Sequence, residues 1–153
     1  MATLTKFNCF VEDLAEEAHN LGGDSLCALL TNTLPNASDV QVDTDTATCT
    51  VESTSNAAEI AAGNGYTKKG MPLDITSSEQ SSGTYKLVLA DEVLTATGAV
   101  EPFQYVVLFN DSGKTSSTRP PIGWYDYGSS ISLANGETFT IDFDQTNGVL
   151  TIA

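Results

Sequence analysis

The sequence contains one histidine, His19, and this limits the hydrolytic chemistry that the chain could perform. A Ser-His-Asp arrangement needs a histidine as its general base, and the G-x-S-x-G motif that exposes such a serine in many hydrolases does not occur in the sequence. His19 lies near the end of a predicted helix, where a positive charge is favourable. We therefore expect a surface or helix-end histidine, and we predict no catalytic residues.

The segment Gly113-Lys114-Thr115 has the residues that end a phosphate-binding P-loop. The first glycine of that motif should stand five residues before Gly113, where this sequence has Leu108. Without that glycine, the backbone is poorly suited to wrapping around the phosphate groups. We interpret the segment as the tip of a loop rather than as a nucleotide-binding site.

Two pairs of aspartates stand two residues apart, Asp43 with Asp45 and Asp142 with Asp144, so each pair would point to one face of a strand. The stretch from Asp142 to Gly148 is similar to a calcium loop, but its glycine comes one position late and the expected glutamate is missing. Solvated or turn-capping aspartates are the simpler interpretation, so we predict no metal and no cofactor. Calcium binding and glycoside hydrolysis by two carboxylates are the alternatives.

Three cysteines, Cys9, Cys27 and Cys49, lack the spacing of the usual zinc motifs. Their odd number and the lack of a signal peptide predict reduced thiols in a protein that is made in the cytoplasm. We expect all three to be small buried apolar side chains. No apolar run approaches the ~18 residues of a membrane-spanning helix, so we expect no membrane partner.

The composition fits one acidic domain over residues 1–153, of which 41% are apolar. Six lysine and arginine residues stand against twenty aspartate and glutamate residues, and the net charge is −14. Such a chain repels nucleic-acid phosphates and anionic lipids, so we predict no nucleic-acid partner. The partner that we expect is another protein, or a cation.

One helix is predicted near the N-terminus, over about residues 6–21. Phe7, Phe10 and Leu14 recur at helical spacing, and acidic residues take the opposite face. Gly22-Gly23 would end the helix, because glycine accepts the left-handed conformation found at helix C-termini. The apolar stripe requires a surface to pack on, either the chain's own sheet or a neighbouring subunit.

The rest of the sequence favours strands that are joined by turns. Ser25–Thr31 is a continuous apolar run typical of a buried strand, and Phe103–Phe109 predicts the strongest and most central strand. Asn135-Gly136 is a hairpin signal before the alternating segment Glu137–Phe143. About eight strands at a spacing of roughly 8–12 residues predict a mainly β fold, an antiparallel β-sandwich or jelly-roll-like domain with one N-terminal α-helix.

An aromatic segment, Ile122–Tyr127, precedes a separate short strand at Ile131–Leu133. Alternation places Trp124 on one face of the segment and Tyr125 with Tyr127 on the other. Aromatic side chains dominate cores and interfaces, and they also stack on sugars. Sheet packing, a subunit interface and glycan contact therefore all stay open for this segment.

Our candidate interface residues come from the predicted helix stripe and from this aromatic segment. They are Phe7, Phe10, Leu14, Trp124, Tyr125 and Tyr127.

Five stretches that span most of the chain have a familiar overall pattern: Lys6–Asn32, Glu59–Tyr66, Ser82–Asp91, Phe103–Asp111 and Ile122–Ala153. In these stretches the chain resembles a family of small structural proteins of tailed bacteriophages. The resemblance contains no catalytic motif and is weakest over Asp39–Asn56.

The resemblance implies a non-enzymatic virion component, and a capsid decoration (cement) protein is the preferred role. Such proteins are often small β-sandwiches that sit as oligomers on the capsid exterior and clamp neighbouring subunits of the major capsid protein. We expect synthesis in the host bacterial cytoplasm and a symmetric homo-oligomer, with a trimer favoured. A phage tail or adsorption component is the alternative, and a glycan-binding or glycan-hydrolysing module is a third hypothesis.

Overall fold

The computed structural model describes residues 2–44, 49–112 and 118–153. These residues form one short helix and fourteen strands. In chain order the elements are β1 (Thr5–Lys6), α1 (Cys9–Ala15), β2 (Leu26–Thr31), β3 (Gln41–Asp43), β4 (Thr50–Glu52), β5 (Ala57–Ala58), β6 (Met71–Leu73), β7 (Ile75–Ser81), β8 (Thr84–Leu89), β9 (Glu92–Thr95), β10 (Val100–Asn110), β11 (Thr118–Arg119), β12 (Pro121–Leu133), β13 (Thr138–Ile141) and β14 (Leu150–Ile152).

The strands form four antiparallel sheets. The largest has five strands in the order β1-β12-β10-β2-β6, so β10 lies at its centre, as the sequence predicted. The others are a four-stranded sheet (β11-β3-β4-β5), a three-stranded sheet (β14-β8-β7) and a two-stranded sheet (β13-β9). Among the described helices, none is long and apolar enough to cross a membrane.

The five-stranded sheet is buried on both faces. Successive side chains of a strand point to opposite faces, so Val106 and Leu108 of β10 join one hydrophobic cluster and Val107 and Phe109 join another. All six residues of β2 are buried for the same reason. The continuous apolar run that marks β2 in the sequence therefore reflects a strand with no solvent-facing side.

A layer of structure covers each face of the five-stranded sheet. The larger cluster packs the sheet against α1 and against the two- and three-stranded sheets, through residues such as Phe10, Leu87 and Phe139. The smaller cluster packs it against the four-stranded sheet through Val42 and Val51. The predicted fold class, a mainly β sandwich with one helix near the N-terminus, is confirmed.

The predicted helix over residues 6–21 is wrong in its extent, because α1 covers only Cys9–Ala15. The residues before it are extended: Thr5 pairs with Trp124, and the Phe7 N–H donates to the Ile122 carbonyl at 3.2 Å. The helix ends before Glu17, whose φ of 60° is left-handed, and not at Gly22-Gly23. The apolar spacing beyond this point reflects burial of a loop.

The predicted hairpin at Asn135-Gly136 is also wrong. A turn is present, since the Glu137 N–H donates to the Ala134 carbonyl at 3.0 Å, but its flanking strands pair with other strands. Leu133 of β12 pairs with Val100, whereas β13 pairs with β9. The turn signal predicts a local chain reversal, and long-range burial decides which strands meet.

The two short strands that the sequence predicts at Ile122–Tyr127 and Ile131–Leu133 form one strand, β12. Gly128 lies between them with a φ of 79°, and the ladder with β10 is irregular between the pairs Phe103–Ile131 and Tyr105–Asp126. A glycine in a left-handed conformation is typical of a β-bulge, which bends a strand without ending it.

Asp39 is a buried carboxylate that joins two loops beside the four-stranded sheet. It accepts hydrogen bonds from the backbone N–H groups of Asn36 at 2.8 Å, Thr54 at 2.6 Å and Ser55 at 2.8 Å, and from the Ser55 hydroxyl at 2.5 Å. Burial alone would raise the pKa of Asp39, but the hydrogen bonds from Ser55, Asn36 and Thr54 together lower it. The charged form of this side chain therefore stabilises the fold.

We predict that Asp39→Asn lowers the free energy of unfolding by about 2–4 kcal/mol at neutral pH, because an amide has one acceptor oxygen and sets its NH2 group against N–H donors. The pKa of Asp39 is lower in the folded chain, so its contribution is complete above the unfolded value of about 3.9 and is lost as the pH falls through the folded value. Urea unfolding at a series of pH values measures both effects.

The matched control is Asp142→Asn, because Asp142 is exposed. We expect this change to cost less than about 0.5 kcal/mol. Equal effects of the two substitutions would contradict the role given to Asp39.

Candidate functional site

Phe7 and Trp124, two of the candidate interface residues, contact each other inside the chain. Phe7 is fully buried and Trp124 is 7% exposed, and their ring centroids lie 4.8 Å apart in the smaller cluster. The pairing of β1 with β12 brings them together. Their aromatic faces are occupied by the chain's own core, which leaves little surface for a sugar or a partner.

The other four candidates belong to the larger cluster, on the opposite face of the sheet. Phe10 and Tyr125 are buried, whereas Leu14 and Tyr127 are partly exposed. The predicted alternation of Trp124 against Tyr125 is therefore present in β12. An interface role for these residues stays a prediction, and only Leu14 and Tyr127 among these four offer part of their surface to a partner.

The second aspartate pair is divided between solvent and a turn. Asp142 is exposed, whereas Asp144 accepts hydrogen bonds from the backbone N–H groups of Thr146 at 2.9 Å and Asn147 at 2.7 Å and from the Asn147 side chain at 2.8 Å. These hydrogen bonds, led by that of the Asn147 backbone, lower the pKa of Asp144. Asp144 therefore acts as the cap of a turn, which is the simpler of the two interpretations drawn from the sequence.

Asp45 and the Gly113-Lys114-Thr115 segment lie outside the described residues, while Asp43 lies in β3 opposite Thr50. Over residues 2–44, 49–112 and 118–153, no group of three or more His, Cys, Asp or Glu side chains could hold a metal ion.

The three cysteines are free thiols, and Cys27 and Cys49 are buried, as predicted. Cys9 is half-buried, and its thiol donates to the Asp39 carbonyl oxygen at 3.6 Å. Burial raises the pKa of Cys27 to about 11 and that of Cys9 and Cys49 to about 12. All three are protonated at neutral pH, which is the form of a packing residue and not of a nucleophile.

Glu59 is a buried carboxylate, 4% exposed, that holds the loop between β5 and β6. Its Oε1 accepts hydrogen bonds from the Tyr66 hydroxyl at 2.7 Å and from the Gly70 N–H at 2.8 Å. Burial and the neighbouring Glu59 raise the pKa of Tyr66 above its usual range, so its hydroxyl stays protonated and remains a donor. The carboxylate thus fixes a loop and faces no solvent-filled site.

Tyr66 completes the hydrogen bonding of β2 where β6 ends. The last β6 partner along β2 is opposite Ala28, so the Leu30 N–H has no strand beside it and donates to the Tyr66 hydroxyl at 3.1 Å. The Leu30 carbonyl accepts from the Ile60 N–H at 2.9 Å. Loop residues therefore take the place of a neighbouring strand and satisfy buried backbone groups.

His19 is buried and not at the surface, so that prediction is wrong: it lies four residues beyond the end of α1 and is only 7% exposed. Its ring packs on Phe10 with centroids 5.1 Å apart, and its Nδ1 lies 3.4 Å from the Asn110 amide nitrogen. Burial lowers the pKa of His19 to about 4, against smaller opposing effects of Asp24 and of the Pro121 backbone. The ring is neutral at physiological pH.

A shallow groove of about 270 Å³ opens beside His19, between the segment after α1 and the three-stranded sheet. Leu14, Leu21 and Ile152 supply apolar walls. Ser78 and Tyr85 supply the polar part, and their hydroxyl groups are hydrogen-bonded to each other at 2.8 Å. The groove could take one apolar group, but its polar side chains are not arranged as an acid, base and nucleophile.

Asp39, Glu59 and Asn110 are the organising polar residues of the structure, and the sequence did not single them out. Each is at most 4% exposed, yet none stands in an apolar pattern or a recognisable motif. Asp39 even belongs to the stretch that matches the phage-protein resemblance least. The sequence signal that could have pointed to Asp39 is the Pro35-Asn36 pair, which is typical of a turn, because Asx residues often bind nearby backbone N–H groups.

Comparison of the chain with protein-family models, with curated proteins and with solved structures finds no match.

We predict that Tyr66→Phe lowers the free energy of unfolding by about 1–3 kcal/mol, because it removes the partner of the buried Leu30 N–H. Tyr85→Phe is the matched control: it removes a hydroxyl that is bonded to Ser78 at the edge of the groove, and it should cost less than about 1 kcal/mol. Urea unfolding monitored by Trp124 fluorescence measures both. A larger loss for Tyr85→Phe would contradict the role of Tyr66.

Proposed function

We propose that this chain is a non-enzymatic structural protein of a bacteriophage particle, a decoration (cement) protein that binds the major capsid protein on the outside of the capsid. The proposal starts from the resemblance of the sequence to small phage structural proteins. The observation that carries it further is the use of the buried polar side chains. Asp39, Glu59 and Asn110 all bind loops to the core, and such a chain is built to present a rigid surface.

The charge of the chain supports an exterior position. A net charge of −14 repels DNA and keeps a protein soluble when many copies are crowded together. An acidic exterior subunit is also repelled by the packaged genome, and it would contact the coat through neutral or basic regions of the coat protein's surface.

We propose a symmetric trimer as the assembled form. Sedimentation velocity that found only monomers at high concentration would contradict this proposal.

The region where α1 meets the loop before β3 is our proposed contact with the coat. Val11, Leu34 and Val40 are three of the five exposed large apolar side chains among the described residues. The Cys9 thiol donates to the carbonyl of Asp39, next to Val40, and the Asn8 N–H donates to the Ala37 carbonyl at 2.9 Å. We call these three residues the Val11/Leu34/Val40 surface.

A tail or adsorption component of similar size is the alternative role, because it makes the same demands on rigidity and charge. The glycan-binding hypothesis has less support, since Trp124 and Tyr125 are each 7% exposed and cannot form an open stacking platform. Failure to bind or cleave host surface polysaccharide would remove that hypothesis.

Copy number separates these roles. We predict that quantitative mass spectrometry of purified particles of the phage that encodes the chain finds hundreds of copies per particle, because a cement protein occupies repeated positions on the shell. A handful of copies would contradict decoration and favour the tail. Its complete absence from the particles would overturn the virion proposal itself.

We predict that Val11→Asp weakens binding of the chain to capsid shells that lack it by at least about tenfold, because a charge would replace an apolar contact in a desolvated interface. Val93→Asp is the matched control, since Val93 is also exposed but lies in the two-stranded sheet. Co-sedimentation with shells measures binding, and equal effects of the two changes would contradict the proposed surface.

A further inference from the structure

The segment that joins α1 to β2, residues 16–25, contains neither helix nor strand and is tied to the end of β10 by polar contacts. The Asn110 amide group donates to the Ala18 carbonyl at 3.3 Å and to Asp24 Oδ2 at 2.5 Å. The Ser25 N–H donates to the Ser112 hydroxyl at 2.7 Å, and the Ser25 carbonyl accepts from the Asp111 N–H at 2.8 Å. We call residues 16–25 the α1–β2 segment.

The orientation of the Asn110 amide is fixed by its neighbours. Its Oδ1 accepts from the Ser112 N–H at 2.9 Å, so the NH2 group must face the Ala18 carbonyl, Asp24 and His19. An NH2 group can only donate, and its two hydrogens face three possible acceptors: the Ala18 carbonyl, Asp24 and the His19 Nδ1 at 3.4 Å. Of the two neutral tautomers of His19, only the one with its proton on Nε2 avoids setting a ring N–H against this NH2 group.

We propose that His19 and Asn110 form an acid-sensitive latch, in which protonation of His19 Nδ1 sets two donors against each other and releases the α1–β2 segment from β10. A histidinium carries an N–H on both ring nitrogens, and the Asn110 amide cannot turn without losing its bonds to Ser112 and Asp24. Release of the segment exposes the buried Leu21 and opens the groove beside it. The latch is independent of the proposed virion role.

The charged surroundings of His19 do not compensate for this clash. Asp24 is the carboxylate that favours the protonated ring, but it already accepts from Asn110 and from the Asn20 N–H at 2.6 Å. On the other packed elements, Asp13 of α1 interacts with Cys9, Arg119 of β11 pairs with Asp111 at 2.9 Å, and the Tyr85 hydroxyl of β8 is hydrogen-bonded to Ser78 at 2.8 Å. Nε2 is buried and has no hydrogen-bond partner among the described residues, although the Pro121 backbone lies near the ring.

The pH range follows from the two states of the ring. A released His19 has an ordinary pKa of about 6.5, and the latched ring has a pKa of about 4, so protons favour the released state as the pH falls between these values. Between pH 7 and pH 5 the opening equilibrium should rise on the order of twenty-fold. Most carboxylates stay ionised in this interval, so the effect is separable from general acid unfolding.

Amide hydrogen exchange on the full chain tests the proposal. We expect protection of the Ala18, Asp24 and Ser25 amides, corrected for intrinsic exchange rates, to fall on the order of twenty-fold from pH 7 to pH 5. In His19→Gln, whose side chain does not titrate, this pH dependence should disappear. Unchanged protection in the natural chain, or the same loss in His19→Gln, would overturn the latch.

Nitrogen-15 NMR of the imidazole in the natural chain keeps the test decisive if His19→Gln does not fold. We expect the Nε2–H tautomer at pH 7, with Nδ1 unprotonated. Finding the proton on Nδ1, or finding a ring that titrates near 6.5 while the α1–β2 segment stays protected, would show that the latch does not exist.

Discussion

Burial of both faces of the five-stranded sheet is the constraint on which the rest of this structure depends. β2 and β10 run through the centre of the sheet, and their side chains alternate between two separate hydrophobic clusters. Neither strand has a side that tolerates water, so each face needs a cover of its own. The four-stranded sheet covers one face, and α1 with the two smaller sheets covers the other.

The layers that cover the five-stranded sheet explain why so many short elements surround the two long strands, β10 and β12. Nine of the fourteen strands have fewer than six residues, and the segments between them must cross the interior or its margins. The backbone groups of such segments need hydrogen-bond partners when water is excluded. Asp39, Glu59 and Asn110 supply these partners, each from a loop or a strand end, and Asn110 joins segments that are 92 residues apart in the sequence. The polar residues of the interior therefore organise the loops.

Because the interior polar residues hold the loops in place, they are not available for other functions. Interior carboxylates that accept backbone N–H groups are committed to the fold, and the protonated thiols of Cys9, Cys27 and Cys49 are packing groups. What the chain offers to its surroundings is a shaped acidic surface with a few apolar side chains. The α1–β2 segment differs from the other loops, because its attachment depends on a histidine whose charge changes with pH.

The sequence by itself determined the features that local pattern controls. The period of two in β13 and the continuous apolar run of β2 both follow from the geometry of a strand, which acts over a few residues. Only the tertiary structure decided the end of α1, the partner of β13 and the burial of His19. These depend on contacts between segments far apart in the chain: Thr5 pairs with Trp124, β13 with β9, and His19 with Asn110. A local pattern indicates which residues will be buried, but the pairing of distant segments decides which surface they are buried against.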